Sequence, residues 1–176
     1  MRKLQIGVIG SAGSEEYPRR KPSKKGLRVA YEVGKLIALK NAVLVCGGKG
    51  GVMKEACRGA KKNDGITVGI ISGSERSQAN KYVDVEVVSG MINCGEESLI
   101  VSMCDGFIAI GGGSGTLQEI AIAYRNKKPT VAIKGIPGWA DKLANTYLDE
   151  RQIMKIYVAK TPQEAVRILF GKIKTG

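Results

Sequence analysis

Residues 105–123, DGFIAIGGGSGTLQEIAIA, contain a complete strand-to-helix junction. The run 106–110 holds no polar side chain and none of the alternation that a half-wet sheet imposes. It therefore reads as a strand covered on both faces. Gly111, Gly112 and Gly113 follow, then Ser114, Gly115 and Thr116. Beyond them Leu117, Ile120, Ala121 and Tyr124 fall at helical spacing. A buried strand that passes through a glycine turn into an amphipathic helix is half of a βαβ unit.

The same alternation recurs on either side of this junction. Strands are expected at 4–9, 42–46, 67–71, 83–88, 106–110, 130–133 and 156–159. Helices are expected at 27–39, 52–63, 96–104, 117–126, 138–145 and 162–174, with Pro162 suited to a first helical turn. The first helix puts Val29, Val33 and Ile37 on one face; the second does the same with Met53, Ala56, Cys57 and Ala60. Strand and helix in this order predict an α/β, Rossmann-like fold: a doubly wound parallel sheet of about seven strands with helices on both faces. The chain is 176 residues long and has no repeat, linker or low-complexity tract, so a single domain over residues 1–176 is expected. The opening Met1-Arg2-Lys3 followed by LQIGVIGSAG superficially mimics a leader, but its apolar core is short and broken by Gln5. It reads as the first strand.

Composition narrows the chemistry. Histidine is absent, which removes imidazole bases, Ser-His-Asp and Cys-His pairs and His-ligated metals. Cys46, Cys57, Cys94 and Cys104 form no C-x-x-C pair, so no metal site is expected. They read as buried reduced thiols of a cytoplasmic protein, with Cys94, in a glycine-containing loop, the one to watch. No apolar run is long enough for a membrane span. Aromatics are 5% of residues, too few for a base-stacking platform, while the 24 glycines suit loops that press backbone against a ligand. The net charge of +12 is uneven: residues 82–124 hold six acids and no Lys or Arg, so the rest of the chain carries +18.

In a doubly wound sheet, ligands bind beyond the carboxyl ends of the strands, where the strand order reverses. The loops after strands are therefore the candidates. After the first strand come Gly10, Ser11, Ala12 and Gly13, then a basic stretch around Pro18 and Pro22 with Arg19, Arg20, Lys21, Lys24, Lys25 and Arg28. After the second come Gly47, Gly48, Lys49, Gly50 and Gly51, opening a helix. This matches neither the Walker A nor the dinucleotide fingerprint. It does aim backbone amides and a helix dipole at an anion, with Lys49 placed to meet a phosphate. After the fifth strand come Gly111, Gly112, Gly113, Ser114, Gly115 and Thr116, an anion nest in which Ser114 or Thr116 can cap the helix and touch a phosphate. Glu119 lies one turn in and can point back into the same pocket, where it would serve a hydroxyl, a water or a glycosidic carbon. Glu96 and Glu97 open the helix after the fourth strand as ordinary partners of its dipole.

GGKGGVMKEACRGA at 47–60, followed by DGFIAIGGGSGTLQEIAIA, resembles the LOG-like, "lysine decarboxylase-like" superfamily, and within it the molybdenum-cofactor carrier-like branch. The resemblance runs over roughly residues 4 to 170 and centres on G-G-x-G-T-x-x-E. It implies a Rossmann-like fold, a homodimer or higher oligomer, and a nucleotide-sized site between the two glycine loops. It implies a molybdenum cofactor as a ligand class. For the hydrolases of the superfamily it implies cleavage of nucleoside 5′-monophosphates at the N-glycosidic bond. Lysine decarboxylation is not expected, since nothing marks a pyridoxal-binding lysine. Glu119 takes the place of the motif glutamate. The arginine that those hydrolases carry on the preceding helix falls on Glu96, and the next position on Glu97. Gly111 stands where the family places Pro.

Three functions follow from these residues. The leading one is a protein that binds a nucleotide or other phosphate ligand without efficient cleavage. Gly10, Ser11, Gly13 and the two glycine loops would seat the ligand, and Lys49 or an arginine of the 19–28 stretch would supply charge. The alternative is a nucleotide N-glycosidase using Glu119, with a variant in which Glu96 and Glu119 act as a carboxylate pair bridged by a divalent ion. The third is a polyanion- or nucleic-acid-binding protein.

Overall fold

A computed structural model describes residues 2–13, 21–91 and 95–173. Among the described residues seven strands are present: β1 (Gln5–Gly10), β2 (Val43–Cys46), β3 (Thr67–Ile71), β4 (Val85–Val88), β5 (Gly106–Ile110), β6 (Thr130–Ile133) and β7 (Tyr157–Ala159). They form one sheet in the order β4-β3-β2-β1-β5-β6-β7, and every pairing is parallel. Six helices among the described residues accompany it: α1 (Lys24–Leu39), α2 (Gly51–Lys61), α3 (Glu96–Met103), α4 (Ser114–Arg125), α5 (Trp139–Leu143) and α6 (Pro162–Lys172). The expected doubly wound sheet is present, and each anticipated element is found within a few residues of its expected bounds.

The chain winds outward from β1 to β4, returns through α3, and winds the other way from β5 to β7. Strand order thus reverses between β1 and β5. Those strands pair from Ile6–Gly106 to Gly10–Ile110, so they end level. Helices α1, α2 and α6 pack on one face through Ala30, Val33, Ile37, Ala56, Cys57, Ala165 and Leu169, against Ile6, Val8, Leu44 and Ile108 of the strands. Helices α3, α4 and α5 cover the other face through Ile100, Ile120, Ala123 and Ala140, against Ile9, Val45, Phe107 and Ala109. Neighbouring residues of one strand serve opposite cores. That is why the strands read as unbroken apolar runs.

Helix boundaries follow their caps. Ser23 accepts a 3.0 Å bond from the Gly26 amide and starts α1 three residues earlier than apolar spacing alone suggests. Thr161 accepts from the Glu164 amide while the Glu164 carboxylate accepts from the Lys160 amide, a reciprocal cap for α6. By contrast, α2 and α4 start at Gly50 and Gly113 with no capping side chain. Ser114 and Thr116 therefore do not cap α4, contrary to expectation. Ser114 is already the first helical residue, and Thr116 is turned inward at 4% exposure.

Two glycines set the distance between α1 and α2. A Cβ on Gly34 would lie 1.9 Å from the Ala56 carbonyl oxygen, and one on Gly59 would lie 1.9 Å from that of Tyr31. The two backbones touch, which fixes where α2, and hence its N-terminus, sits above the sheet. Among the described residues no helix is long and apolar enough to cross a membrane.

Candidate functional site

A cavity of about 260 Å³ opens at the β1/β5 reversal. That is near the lower end for small-molecule sites, roughly 300 Å³. Three strand-to-helix junctions build it. From the first come Gly10, Ser11 and Gly13, from the second Gly47 and Lys49, and from the third Gly113, Ser114, Gly115 and Thr116. Glu96 and Glu97 of α3 and Glu119 of α4 complete the lining, with Ala12, Met53 and Ile100.

Ser11 joins the second and third junctions. Its carbonyl accepts a 2.9 Å bond from the Val52 amide at the start of α2. Its hydroxyl accepts a 3.0 Å bond from the Gly112 amide. Asn80, in the helix-free crossover from β3 to β4, holds the second loop from behind: its side-chain amide donates to the carbonyls of Gly48 and Lys49 at 2.9 and 3.0 Å. The third loop is held from its other side by α5, where the amides of Trp139 and Ala140 donate to the carbonyls of Gly112 and Gly111.

These bonds divide the glycines. Gly48, Gly50, Gly51, Gly111 and Gly112, all expected to contact ligand, do not line the cavity. The Gly48 amide is engaged by the Cys46 sulfur at 3.3 Å and the Gly112 amide by Ser11. A Cβ on Gly51 would lie 2.2 Å from the Ser11 oxygen, and one on Gly50 2.9 Å from the Ala12 oxygen. Their missing side chains make room for backbone. At Gly113 a Cβ would meet nothing within 4 Å. The first turn of α4 follows it, with Ser114 and Gly115 exposed. An α-helix leaves the amides of that turn without intrahelical partners, and here they face a cavity.

The electrostatics are two-sided. At the outer part Lys49 is exposed and is the one cation among the described lining residues. Deeper in, Glu97 and Glu119 are buried, at 9% and 8% exposure. Burial pushes the Glu119 carboxyl well above the usual range, and Glu97, Cys46 and Glu96 push it the same way. Glu97 is also raised, chiefly by burial, with Glu96 adding to the shift and Lys49 opposing it. The Oε2 atoms of Glu96 and Glu97 are buried and have no hydrogen-bond partner. The site thus offers amide donors and a positive charge at the mouth, and carboxyl groups within.

Several expectations fall elsewhere. Lys24 and Arg28 flank a separate groove with Tyr31 and Arg58, and Lys25 reaches the Gly135 carbonyl at 3.2 Å. Of the basic stretch, none of the described residues lines the cavity; Pro18, Arg19 and Arg20 lie outside the described residues, as does Cys94. Cys46, Cys57 and Cys104 are buried free thiols, with the Cys46 and Cys57 sulfurs 3.6 Å apart. Among the described residues no group of three or more His, Cys, Asp or Glu is placed to hold a metal ion. Sequence reasoning missed Asn80, Met53 and Ile100, and took Glu97 for a dipole partner at a position next to the family's arginine.

A model of the SLOG cluster4 family matches residues 3–166. A crystal structure of the protein TM1055 is 30% identical and superposes with a TM-score of 0.86, over 96% of this chain and 99% of that one. The molybdenum cofactor binding protein of the phototrophic bacterium Rippkaea orientalis is 31% identical, with a TM-score of 0.84 over 99% of both chains. The Moco carrier protein of Chlamydomonas reinhardtii is 30% identical, with a TM-score of 0.80 over 97% of both.

Proposed function

The chain belongs to the SLOG cluster4 family, and from that premise we propose that it binds a small, nucleotide-sized molecule through its phosphate at the β1/β5 reversal, without cleaving it efficiently. One observation carries this reading. Helix α4, which no side chain caps, starts at the cavity, with Gly113, Ser114, Gly115 and Thr116 in its lining beside Lys49. Uncapped N-terminal amides, the helix dipole and an ammonium group together suit a phosphate dianion. The carboxyl groups argue against efficient N-glycosidic cleavage. Where the related hydrolases carry an arginine, this chain has Glu96 and Glu97, which repel the phosphate that the arginine would hold. Carriage of a molybdenum cofactor, itself a phosphate ester, is the form of the reading that the two cofactor-binding relatives favour.

Calorimetric titration with AMP and with ribose 5-phosphate tests it. Binding at millimolar concentration or tighter is expected, weakened in Lys49→Ala. The absence of any heat with either compound at millimolar concentration would overturn the reading. One observation favours hydrolysis as a second reading: Glu119 lines the cavity and is held toward its protonated form, the state a general acid needs. Release of free adenine from AMP, abolished in Glu119→Ala, would establish it in place of passive binding.

A further inference from the structure

A carboxyl group stands where the phosphate would sit. The Glu97 side chain is nine-tenths buried, lines the cavity, and leaves Oε2 with no hydrogen-bond partner. Its Oε1 lies 3.8 Å from where a Cβ of Gly115 would stand, so the carboxyl is beside the first turn of α4. Among the described residues three other ionisable side chains share the cavity: Glu96 on the same helix, Lys49 from the second junction and Glu119 from α4. Only Lys49 carries positive charge. An ionised Glu97 would meet a phosphate dianion as a like charge away from water, and it has acceptors but no donor to offer. A protonated Glu97 has one O–H, and a phosphate oxygen accepts from such a group at short range.

We propose that Glu97 holds the phosphate as a carboxylic acid: its unpartnered oxygen carries a proton and donates it in a hydrogen bond to a phosphate oxygen, so that one proton is taken up with each ligand and the ligand is released as pH rises. This rests on the phosphate-binding reading above and adds to it how that site is regulated. The surroundings of Glu97 agree. Burial pushes its carboxyl above the usual range before any ligand arrives; Glu96 adds to the shift and Lys49 opposes it. A bound dianion pushes it further in the same direction. Below the free value Glu97 is already neutral, and affinity is level. Between the free and the bound values the protein must gain a proton to bind, and affinity falls by up to about tenfold per pH unit. Above the bound value the carboxylate faces the phosphate and binding is weakest.

Titration calorimetry with sulfate tests this. A phosphate monoester loses its own second proton near pH ~6, which would blur the result, whereas sulfate keeps both charges and carries no proton to give. Measurements from about pH 5 to about 8.5, below the range where lysine titrates, use buffers of different ionisation enthalpy and so count the protons directly. Uptake approaching one proton per sulfate is expected, with a loss of affinity of about tenfold or more across the range. In Glu97→Gln the amide keeps the shape and a donor but cannot titrate. Its affinity should stay level across the range, near the wild-type value at low pH, with no proton uptake. Glu96→Gln and Glu119→Gln should keep the uptake. The thermal midpoint of each variant checks that it folds. Sulfate affinity independent of pH in the wild type, uptake undiminished in folded Glu97→Gln, or uptake abolished in Glu96→Gln or Glu119→Gln instead, would overturn the inference while leaving the phosphate site in place. Binding of ribose 5-phosphate but not of sulfate would overturn it too, because the shared proton would then belong to the ligand. If neither binds at millimolar concentration, the phosphate reading fails and this inference fails with it.

Discussion

Two glycines four residues or fewer from a helix start should behave in opposite ways when each becomes alanine. Gly51 has φ +59, and a Cβ there would lie 2.2 and 2.3 Å from the carbonyl oxygens of Ser11 and Ala12. The left-handed conformation costs alanine about 1–2 kcal/mol. The overlap with backbone that cannot swing aside costs roughly another 1–3 kcal/mol. Gly51→Ala should therefore lose about 2–5 kcal/mol, a fall in thermal midpoint of roughly 5–15 °C for a chain of this size. Gly113 has φ −98 and open space where its Cβ would be. There, alanine costs no more than the difference between glycine and alanine as N-cap, about 1 kcal/mol or less. Its methyl group, however, adds bulk to the wall of the cavity next to the first turn of α4. Urea unfolding followed by circular dichroism, with ribose 5-phosphate titrations on the same samples, reads both effects. Gly113→Ala should keep its stability and lose about tenfold or more in affinity, whereas Gly51→Ala should show the reverse emphasis. If Gly113→Ala binds like wild type, the α4 amides are not the seat of the phosphate. If Gly51→Ala is as stable as wild type, the close approach of Gly51 to the Ser11 and Ala12 carbonyls does not hold that junction together.

Removing the ammonium in Lys49→Ala should weaken a phosphate ligand by about tenfold to a hundredfold, the worth of one charge-assisted contact, and should flatten the salt dependence of binding in calorimetry. Glu119 predicts a pH effect on stability. Its folded carboxyl is raised, so the unfolded chain releases this proton first as pH climbs, and stability falls from the ordinary carboxylate range up to the folded value. Glu119→Gln should therefore gain on wild type as pH rises above the ordinary carboxylate range, with Glu97 keeping part of the slope; urea midpoints that run parallel through that rise would refute it. Gly34→Ala should cost about 3 kcal/mol or more through the contact with Ala56, read as a lowered urea midpoint, and a midpoint unchanged within error would refute the α1–α2 contact.

Much of this molecule can be read from its residues, and the reasons are local. Strands such as 106–110 are buried on both faces and announce themselves as apolar runs. The helix starts at 51 and 114 follow glycine clusters that no other structure explains as simply. What could not be read is which glycine faces the cavity. A missing Cβ makes room equally well for a ligand at Gly113 and for a carbonyl at Gly51, and only the fold distinguishes them. Asn80 was invisible for a related reason: its partners on Gly48 and Lys49 lie some thirty residues away in sequence and are backbone atoms. Glu97 gave a faint sign, as a second acid in a first turn where one satisfies the dipole. Its meaning depends on α4 arriving beside it, which takes the whole sheet to arrange.

The bonds that Ser11 makes to Val52 and Gly112 set how the pocket meets a visitor. Just beyond the paired ends of β1 and β5, the second and third junctions are tied to the same residue, so neither can swing away from the other without breaking one of these bonds. A ligand of the proposed kind would find its seat already assembled. The disorder that had to be surrendered to build that seat was surrendered when the chain folded, and little remains to be lost at the encounter.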